Sequence, residues 1–348
     1  MAEPIRILLA FVLALAPSLV LCRVMMSVRI MDAPTEARKI QPHAVPTSGG
    51  VAAAISTALA VVSITELTDW NLDAVLFVVG GGAVAALLIG LADDILNLRA
   101  VVKLLLLVGV TAVMTGFGIR ADAMAPWPGA YVELPLIIAT GGSMFWLVVV
   151  LNAVNFMDGA NGVAMGMAAI AALGLCICGA VIGAWTVALL AGALAGALTG
   201  FLVWNLQGKL FVGDAGAFLA AAILGGLGLE IVRLRPDLLF VPPMLLLPFL
   251  SDVLLTLAWR TRHGKKLFAA HRDHAYQIAM KAGLKHWQVA VVHAVWATNA
   301  AVFAVIATIM GRQVPVIAFV LLLLVSTWIH WRVRRSGVSA GLVGANIP

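Results

Sequence analysis

The sequence predicts an all-α, polytopic integral membrane protein, and three observations carry that prediction. Hydrophobic residues fill 63% of the 348 positions, charged residues only 11%, and the mean hydropathy is +1.07. Soluble domains are about a quarter charged and about half apolar, so no soluble core could absorb this much apolar surface. Long runs rich in Leu and Ala recur along the whole chain, at a length that suits membrane helices and not strands. Lys and Arg crowd alternate connections between those runs, as they do in membrane proteins with a cytoplasmic face.

A bilayer core about 30 Å thick takes about 20 residues of helix. Suitable runs fall near 5–25, 50–65, 74–91, 101–119, 134–153, 162–182, 184–204, 214–232, 238–259, 287–310 and 313–331. That predicts about 11 transmembrane helices in a single domain over 1–348. The second is the shortest, and the sixth and seventh stand so close that they could form one re-entrant unit. The first run continues through Cys22 to Val24 without a small-residue cleavage site, so it reads as a retained helix and not a removed signal. Cys22, Cys176 and Cys178 all lie in apolar runs and suggest neither a disulfide framework nor a zinc site.

With the N-terminus outside and the C-terminus cytoplasmic, 17 of the 22 Lys and Arg fall on the cytoplasmic side, while the acidic residues divide evenly. The unusual polar clusters fall on that side too, in loops near 26–49, 92–100, 154–161, 205–216 and 260–286. Charged groups at membrane depth are costly, so such clusters invite a functional reading. A transporter would need ionisable groups near the midplane, reachable from both sides. The span interiors are almost free of charge, with Asp252 the deepest candidate.

Each cluster has more than one reading. Asp93-Asp94 is either an interfacial helix stop or a hard-cation site, since magnesium favours one or two carboxylates plus phosphate oxygens. Asp158, between Asn155 and Gly159-Ala-Asn161-Gly162, marks either a turn that offers backbone amides to a ligand or a plain polar link. Asp214 in Gly213-Asp214-Ala-Gly216 opens a span and could cap it, which would not exclude metal binding. His271-Arg272-Asp273-His274 sits in a basic loop with Tyr276 and Gln277, and its two histidines suit hydrogen bonding to phosphate at neutral pH. His293 and His330 lie within or at the edge of spans and read as structural. Gly192, Gly196 and Gly200 recur every four residues, as on a close helix-packing face.

In this order, four stretches resemble the polyprenyl-phosphate N-acetylhexosamine-1-phosphate transferases, glycosyltransferase family 4. They are Gly90-Leu-Ala-Asp93-Asp94, Asn152-Ala-Val-Asn155-Phe-Met-Asp158-Gly159, Phe211-Val-Gly213-Asp214-Ala-Gly216 and His271-Arg272-Asp273-His274-Ala-Tyr276-Gln277. The histidine stretch is similar to the branch that starts O-antigen or related surface glycans on undecaprenyl phosphate. The first loop departs from the family pattern: the spacing to His43 is longer, and the Pro-Arg pair after Thr47 is missing.

The resemblance implies transfer of a sugar 1-phosphate from a UDP-N-acetyl sugar to undecaprenyl phosphate, with release of UMP, at the cytoplasmic face of a bacterial inner membrane. It implies magnesium, or manganese in its place, held by Asp214 with Asp93 and Asp94. Asn155, Asp158 and Asn205 would position nucleotide or metal, His271, Arg272 and His274 the donor phosphates, and Lys39 or Lys103 the acceptor phosphate. Asp93 could act as a base or Asp94 as a nucleophile. A phosphate monoester, with its second pKa near 6, is already largely dianionic at neutral pH, which favours direct attack with both carboxylates serving the metal. The partners expected are these two substrates and membrane lipid, without nucleic acid, and a homodimer is compatible. The rivals are the phospho-N-acetylmuramoyl-pentapeptide transferase branch, a lipid-precursor transporter and a non-catalytic scaffold. The histidine stretch disfavours the first, the uncharged spans the second, and the one-sided clusters the third.

Overall fold

The computed structural model describes residues 2–28, 31–32, 45–68, 70, 73–265 and 271–343. Their helices run in chain order as α1 (Glu3–Met25), α2 (Gly49–Thr68), α3 (Ala74–Leu96), α4 (Ala100–Gly116), α5 (Leu136–Phe156), α6 (Val163–Val181), α7 (Trp185–Asn205) and α8 (Gly213–Leu234). The short helix α9 (Val241–Leu245), α10 (Leu247–Arg262), the short α11 (Ala275–Lys281), α12 (His286–Met310) and α13 (Val314–Ser339) complete the set. Two antiparallel ribbons of two residues per strand, Met31–Asp32 with Val45–Pro46 and Ala123–Met124 with Val132–Glu133, make up the strands among the described residues. The protein is all-α and multi-pass.

Among the described residues, nine helices are long and apolar enough to cross a membrane, and a tenth span results if the bent pair around α9 and α10 counts as one. The expected eleven therefore reduce to nine or ten. The run at 101–119 folds as α4, only 17 residues, about 25 Å at the helical rise of ~1.5 Å per residue and short of a bilayer core. The run at 238–259, expected as one straight span, breaks at Leu246 with a bend of 75°. Pro242 and Pro248 each stand in the first turn of a helix, where a missing N–H costs nothing, so the prolines start two short helices and do not continue one. The runs at 162–182 and 184–204 form two separate helices joined at Gly183, whose φ of +75° supplies the turn.

Helix α8 is the centre of the bundle. Every residue from Ala215 to Val232 is buried, in a sequence rich in Ala, Gly and Leu that is apolar on all faces up to Glu230, as suits an enclosed helix. α2, α3, α5, α6 and α7 surround it. The outer helices α1, α3, α4, α5, α12 and α13 turn Leu8, Phe77, Leu105, Phe145, Val295 and Leu324 outward. A continuous apolar exterior of this kind suits lipid.

The glycine stripe of α7 is a packing face, as its spacing predicts. It meets α1, where a Cβ at Gly196 would strike the Phe11 carbonyl and one at Gly200 would stand 2.7 Å from the Leu15 carbonyl. Ser18 seals the same contact by donating to the Ala197 carbonyl at 2.6 Å. The substitution Gly196→Leu is expected to lower the melting temperature in detergent, by about 1–3 kcal/mol of overpacking. Gly80→Ala, with nothing within 4 Å of the added carbon, is expected to leave it unchanged.

Candidate active site

The polar clusters named from sequence meet at one end of the bundle, fastened to each other by hydrogen bonds. The segment after the Val45–Pro46 strand lies against the approach to α8, with Phe211 N donating to the Pro46 carbonyl at 2.8 Å and Gly50 N to the Val212 carbonyl at 2.9 Å. The opposite end has its own links, such as Ala125 N to the Pro236 carbonyl at 3.0 Å and Thr186 Oγ1 to Asp73 at 2.6 Å.

The first cluster forms where α3 crosses the start of α8. Gly90 permits the crossing, because a Cβ there would collide with the backbone of Asp214 and Ala215. Asp94, one turn later, then reaches the first turn of α8. Its Oδ1 accepts from Asp214 N at 3.0 Å and its Oδ2 from Ala215 N at 3.2 Å. A carboxylate on free amides at a helix N-terminus is a favourable pairing. The helix is therefore capped by Asp94 from another helix, and not by Asp214; the residue at the cap position itself is Val212.

Asp214 is thereby turned toward the cluster. Its Oδ1 accepts from Asn155 Nδ2 at 2.7 Å and its Oδ2 from Lys103 Nζ at 2.7 Å. Lys103 comes from the start of α4 and also binds Asp93 Oδ2 at 2.8 Å. It stands against Phe218, 5.8 Å from the ring centre. Side chains of Asp93, Lys103 and Asp214 keep 16%, 23% and 25% of their exposure, enough for a ligand to reach them.

Three carboxylates face one ammonium here, so the ionised cluster lacks positive charge and suits a divalent cation. Among the described residues no three His, Cys, Asp or Glu side chains close around one point. An ion held by Asp93 and Asp214 would complete its shell with phosphate oxygens and water, which is the habit of magnesium. The donor set fits that ion, with Lys103 now bridging the two carboxylates.

The second cluster is the histidine stretch. His274 is the N-cap of α11, and the Gln277 side chain closes the capping box by accepting from His274 N at 3.3 Å. His274 is buried, with its Nδ1 3.3 Å from Asp252 Oδ1, so its expected place on donor phosphates narrows to an internal one. His271 lies beside it, the rings tilted by 30° with centres 5.0 Å apart. Burial, with the His274 and Arg260 charges adding, pushes His271 down to about 4 and keeps it neutral at physiological pH. Burial raises the Tyr276 hydroxyl far above its ordinary value, with Asp252 and Asp158 adding to the effect.

Consecutive residues of α5 join the two clusters. Asn155 holds Asp214, while the Phe156 carbonyl accepts from the Tyr276 hydroxyl at 3.4 Å. Their Cα atoms are about 3.8 Å apart, so the clusters share one wall. Asp158 follows on the same loop, its N–H donating to the Asn155 carbonyl at 3.1 Å. The expectation that Gly159 and Gly162 offer amides to a ligand is corrected: Gly159 packs under the Tyr276 hydroxyl, and Gly162 N donates to Asn205 Oδ1 at 2.7 Å.

Asn205, expected to touch nucleotide or metal, is buried and ties two loops together, its Nδ2 donating to the Leu210 carbonyl at 3.0 Å. Arg272 stands in the loop between the two histidines, its carbonyl accepting from Lys281 Nζ at 2.8 Å. Lys39 and His43 lie outside the described residues. His293 is structural, bonded to the Val289 carbonyl of its own helix at 2.9 Å. His330 is more than that. It lies 3.2 Å from Thr256 Oγ1 in a buried network with Asp252 and Arg334 that spacing along the chain does not reveal.

The substitution Asp94→Asn leaves one acceptor for two amides and is expected to cost about 1–3 kcal/mol of stability. Thermal unfolding checks it. His271 gives a pH dependence with a definite sign. The unfolded chain takes up a proton near the ordinary value of 6.5, the folded protein only near 4, so the stability held above pH 6.5 drains away as pH falls toward 4. In melting curves over that range, His271→Gln is expected to show a shallower loss than the wild type.

Residues 75–232, which carry all the first cluster and Asp158, match the sequence model of glycosyl transferase family 4. The chain is 26% identical over 292 residues to a Bacillus subtilis protein named probable undecaprenyl-phosphate N-acetylglucosaminyl 1-phosphate transferase, covering 81% of this chain and 79% of the relative. It is 26% identical over 290 residues to the decaprenyl-phosphate N-acetylglucosaminephosphotransferase of Mycolicibacterium smegmatis, covering 74% and 71%. Over 264 residues it is 28% identical to the phospho-N-acetylmuramoyl-pentapeptide-transferase of Desulforudis audaxviator, covering 68% and 76%. The matched segment, just under half of the chain, contains the cluster built by α3, α4, α5 and α8, and over it the chain is similar to glycosyl transferase family 4.

Proposed function

We propose that this protein transfers a sugar 1-phosphate from a UDP-N-acetylhexosamine to a polyprenyl phosphate such as undecaprenyl phosphate, at the cytoplasmic face of a bacterial inner membrane. The observation that carries the reading is the convergence of Asp93 and Asp214 on one cation, the Lys103 ammonium, at a membrane-helix end that shares a wall with the histidine stretch. The names of the relatives support the same substrates. The excess of Lys and Arg at this end of the chain's spans supports a cytoplasmic face.

In this reading an oxygen of the lipid phosphate attacks the β-phosphorus of the UDP-sugar. The bond from that phosphorus to the bridging oxygen breaks, UMP leaves, and a polyprenyl diphosphate sugar remains. In the same reading Lys103 receives the acceptor phosphate, and His271 and Arg272 hold the donor. Asp93 and Asp214 would hold magnesium, which when bound neutralises charge on the diphosphate. Asp94 is poorly placed as a nucleophile, because both its oxygens are engaged by the amides of Asp214 and Ala215. That engagement supports direct attack over a covalent intermediate. The starting of a surface glycan and the identity of the sugar belong to the same proposal.

Purified protein with undecaprenyl phosphate, magnesium and a panel of UDP-sugars tests it by UMP release and formation of the lipid product. N-acetylglucosamine and its deoxy and epimeric relatives are expected to be donors. Turnover only with UDP-N-acetylmuramoyl-pentapeptide would move the protein to the peptidoglycan branch, and no turnover with any donor would sink the proposal. EDTA is expected to abolish turnover and added magnesium to restore it. Asp214→Asn is expected to lose about 100-fold or more, ~2.7 kcal/mol in the barrier. Asp93→Asn should recover partly at higher magnesium or pH, whereas a trapped phosphoprotein would overturn direct attack.

A further inference from the structure

The histidine stretch lies beyond the family-matched segment, and it is fastened from behind by two helices, α10 and α13. From α10, Asp252 accepts from Ala275 N at 2.9 Å, Tyr276 N at 3.2 Å and Thr256 Oγ1 at 3.2 Å, besides facing His274. From α13, Arg334 Nη2 donates to the Asp273 carbonyl at 2.6 Å and to Thr256 Oγ1 at 2.9 Å, with its guanidinium over Trp259 at 4.4 Å. Arg260 pairs with the Asp273 carboxylate. The network balances two buried arginines against two aspartates, so no member can leave without stranding another's charge.

The chain past Arg334 adds a second layer. Gly337 lies so close to α11 that a Cβ there would stand 2.6 Å from Ile278 Cγ2. Val343 is buried, and Lys281 Nζ donates to the Arg272 carbonyl at 2.8 Å and the Leu342 carbonyl at 3.4 Å. Backbone groups of residues 272 to 276 are thus held from α10, α11 and α13. His271 Nδ1, by contrast, is buried without a hydrogen-bond partner among the described residues. Higher on α13, Leu321, Leu324 and Trp328 face outward, so the helix meets the protein most closely at the end that holds the motif.

We propose that Asp252 and Thr256 of α10 and the end of α13, through Arg334 and Gly337, form a clamp that positions the His271–Gln277 stretch for the donor nucleotide-sugar, a role that rests on the function proposed above. These are positioning residues and touch no substrate themselves. The clamp sets donor affinity separately from the acceptor site, which is built from Lys103 and the carboxylates.

Arg334→Lys and Gly337→Val test it, with two readouts on the full chain in detergent. The first, hydrogen exchange of the 271–282 amides by mass spectrometry, needs no catalysis. Each variant is expected to speed that exchange about tenfold, the loss of roughly one hydrogen bond, while α8 stays protected. The second is kinetic: KM for the UDP-sugar is expected to rise about tenfold, with kcat and KM for undecaprenyl phosphate within about twofold. Unchanged exchange at 271–282 overturns the clamp. So does a rise in both KM values together with a general fall in protection, or failure of both variants to fold, since each marks a global structural role. A wild type inactive with every donor removes the proposed function, and the exchange readout still decides whether the clamp exists.

Discussion

The first turn of α8 sets the constraint on which the site depends. α8 has no face toward lipid, so its free N-terminal amides have to be satisfied within the protein. Asp94 meets the amides of Asp214 and Ala215, and it can do so only because Gly90 lets α3 lie against that turn. The cap then dictates the rest. With its own amide satisfied from outside, Asp214 is released from capping and its carboxylate turns to Asn155 and Lys103. One contact between two helices thereby orients a carboxylate, draws α4 in through Lys103, and fixes the end of α5 through Asn155. A substitution at Gly90 would act on four helices at once.

The same economy of charge explains why the polar groups stay at one end. Deep in the bundle, Asp252 is surrounded by its own donors on α11 and Thr256, and its charge is matched locally and not exposed toward the opposite face. At the other end, buried Glu230 is paired with Arg233 on its own helix at 2.6 Å. Neither arrangement provides a chain of ionisable groups across the membrane, which transport would need. The partly exposed carboxylates of the first cluster lie at a surface, where the proposed substrates, a soluble nucleotide and a membrane-held phosphate, could meet.

Much of this was legible in the residues. Apolar runs located every long helix, because a lipid-facing helix has to be apolar along its whole length. The spacing of Gly192, Gly196 and Gly200 foretold the seam with α1, since small residues at four-residue intervals share one helix face. Asp93, Lys103, Asn155 and Asp214 were each singled out, and they do meet. What escaped was set by geometry between distant segments. The bend at Leu246 depends on prolines acting as helix starts and not as interruptions. The capping of α8 by Asp94, the burial of Asn205 between two loops and the inclusion of His330 in a polar network all join residues separated by 40 positions or more. Side-chain type and local spacing carry no record of such partners. Asp252 alone had a visible signal, a carboxylate at membrane depth, which marks a group that must find partners.

The boundary of the family-matched segment coincides with a division in the structure. Residues 75–232 contain Asp93, Asp94, Lys103, Asn155 and Asp214, the groups that would handle the reacting phosphates. The histidine stretch, and the Asp252 and Arg334 side chains that bind its backbone, come later in the chain. Phosphoryl transfer depends on positioning and charge, which is the same problem whatever sugar is attached. Selecting a sugar is a separate problem, solved by contacts remote from the reacting phosphorus. A fold that builds the first cluster from α3, α4, α5 and α8, and holds the histidine stretch by α10 and α13, could vary the second without disturbing the carboxylates. Among the described residues the pair Asn155 and Phe156 links the two clusters directly. Its backbone carries the register of one cluster to the other.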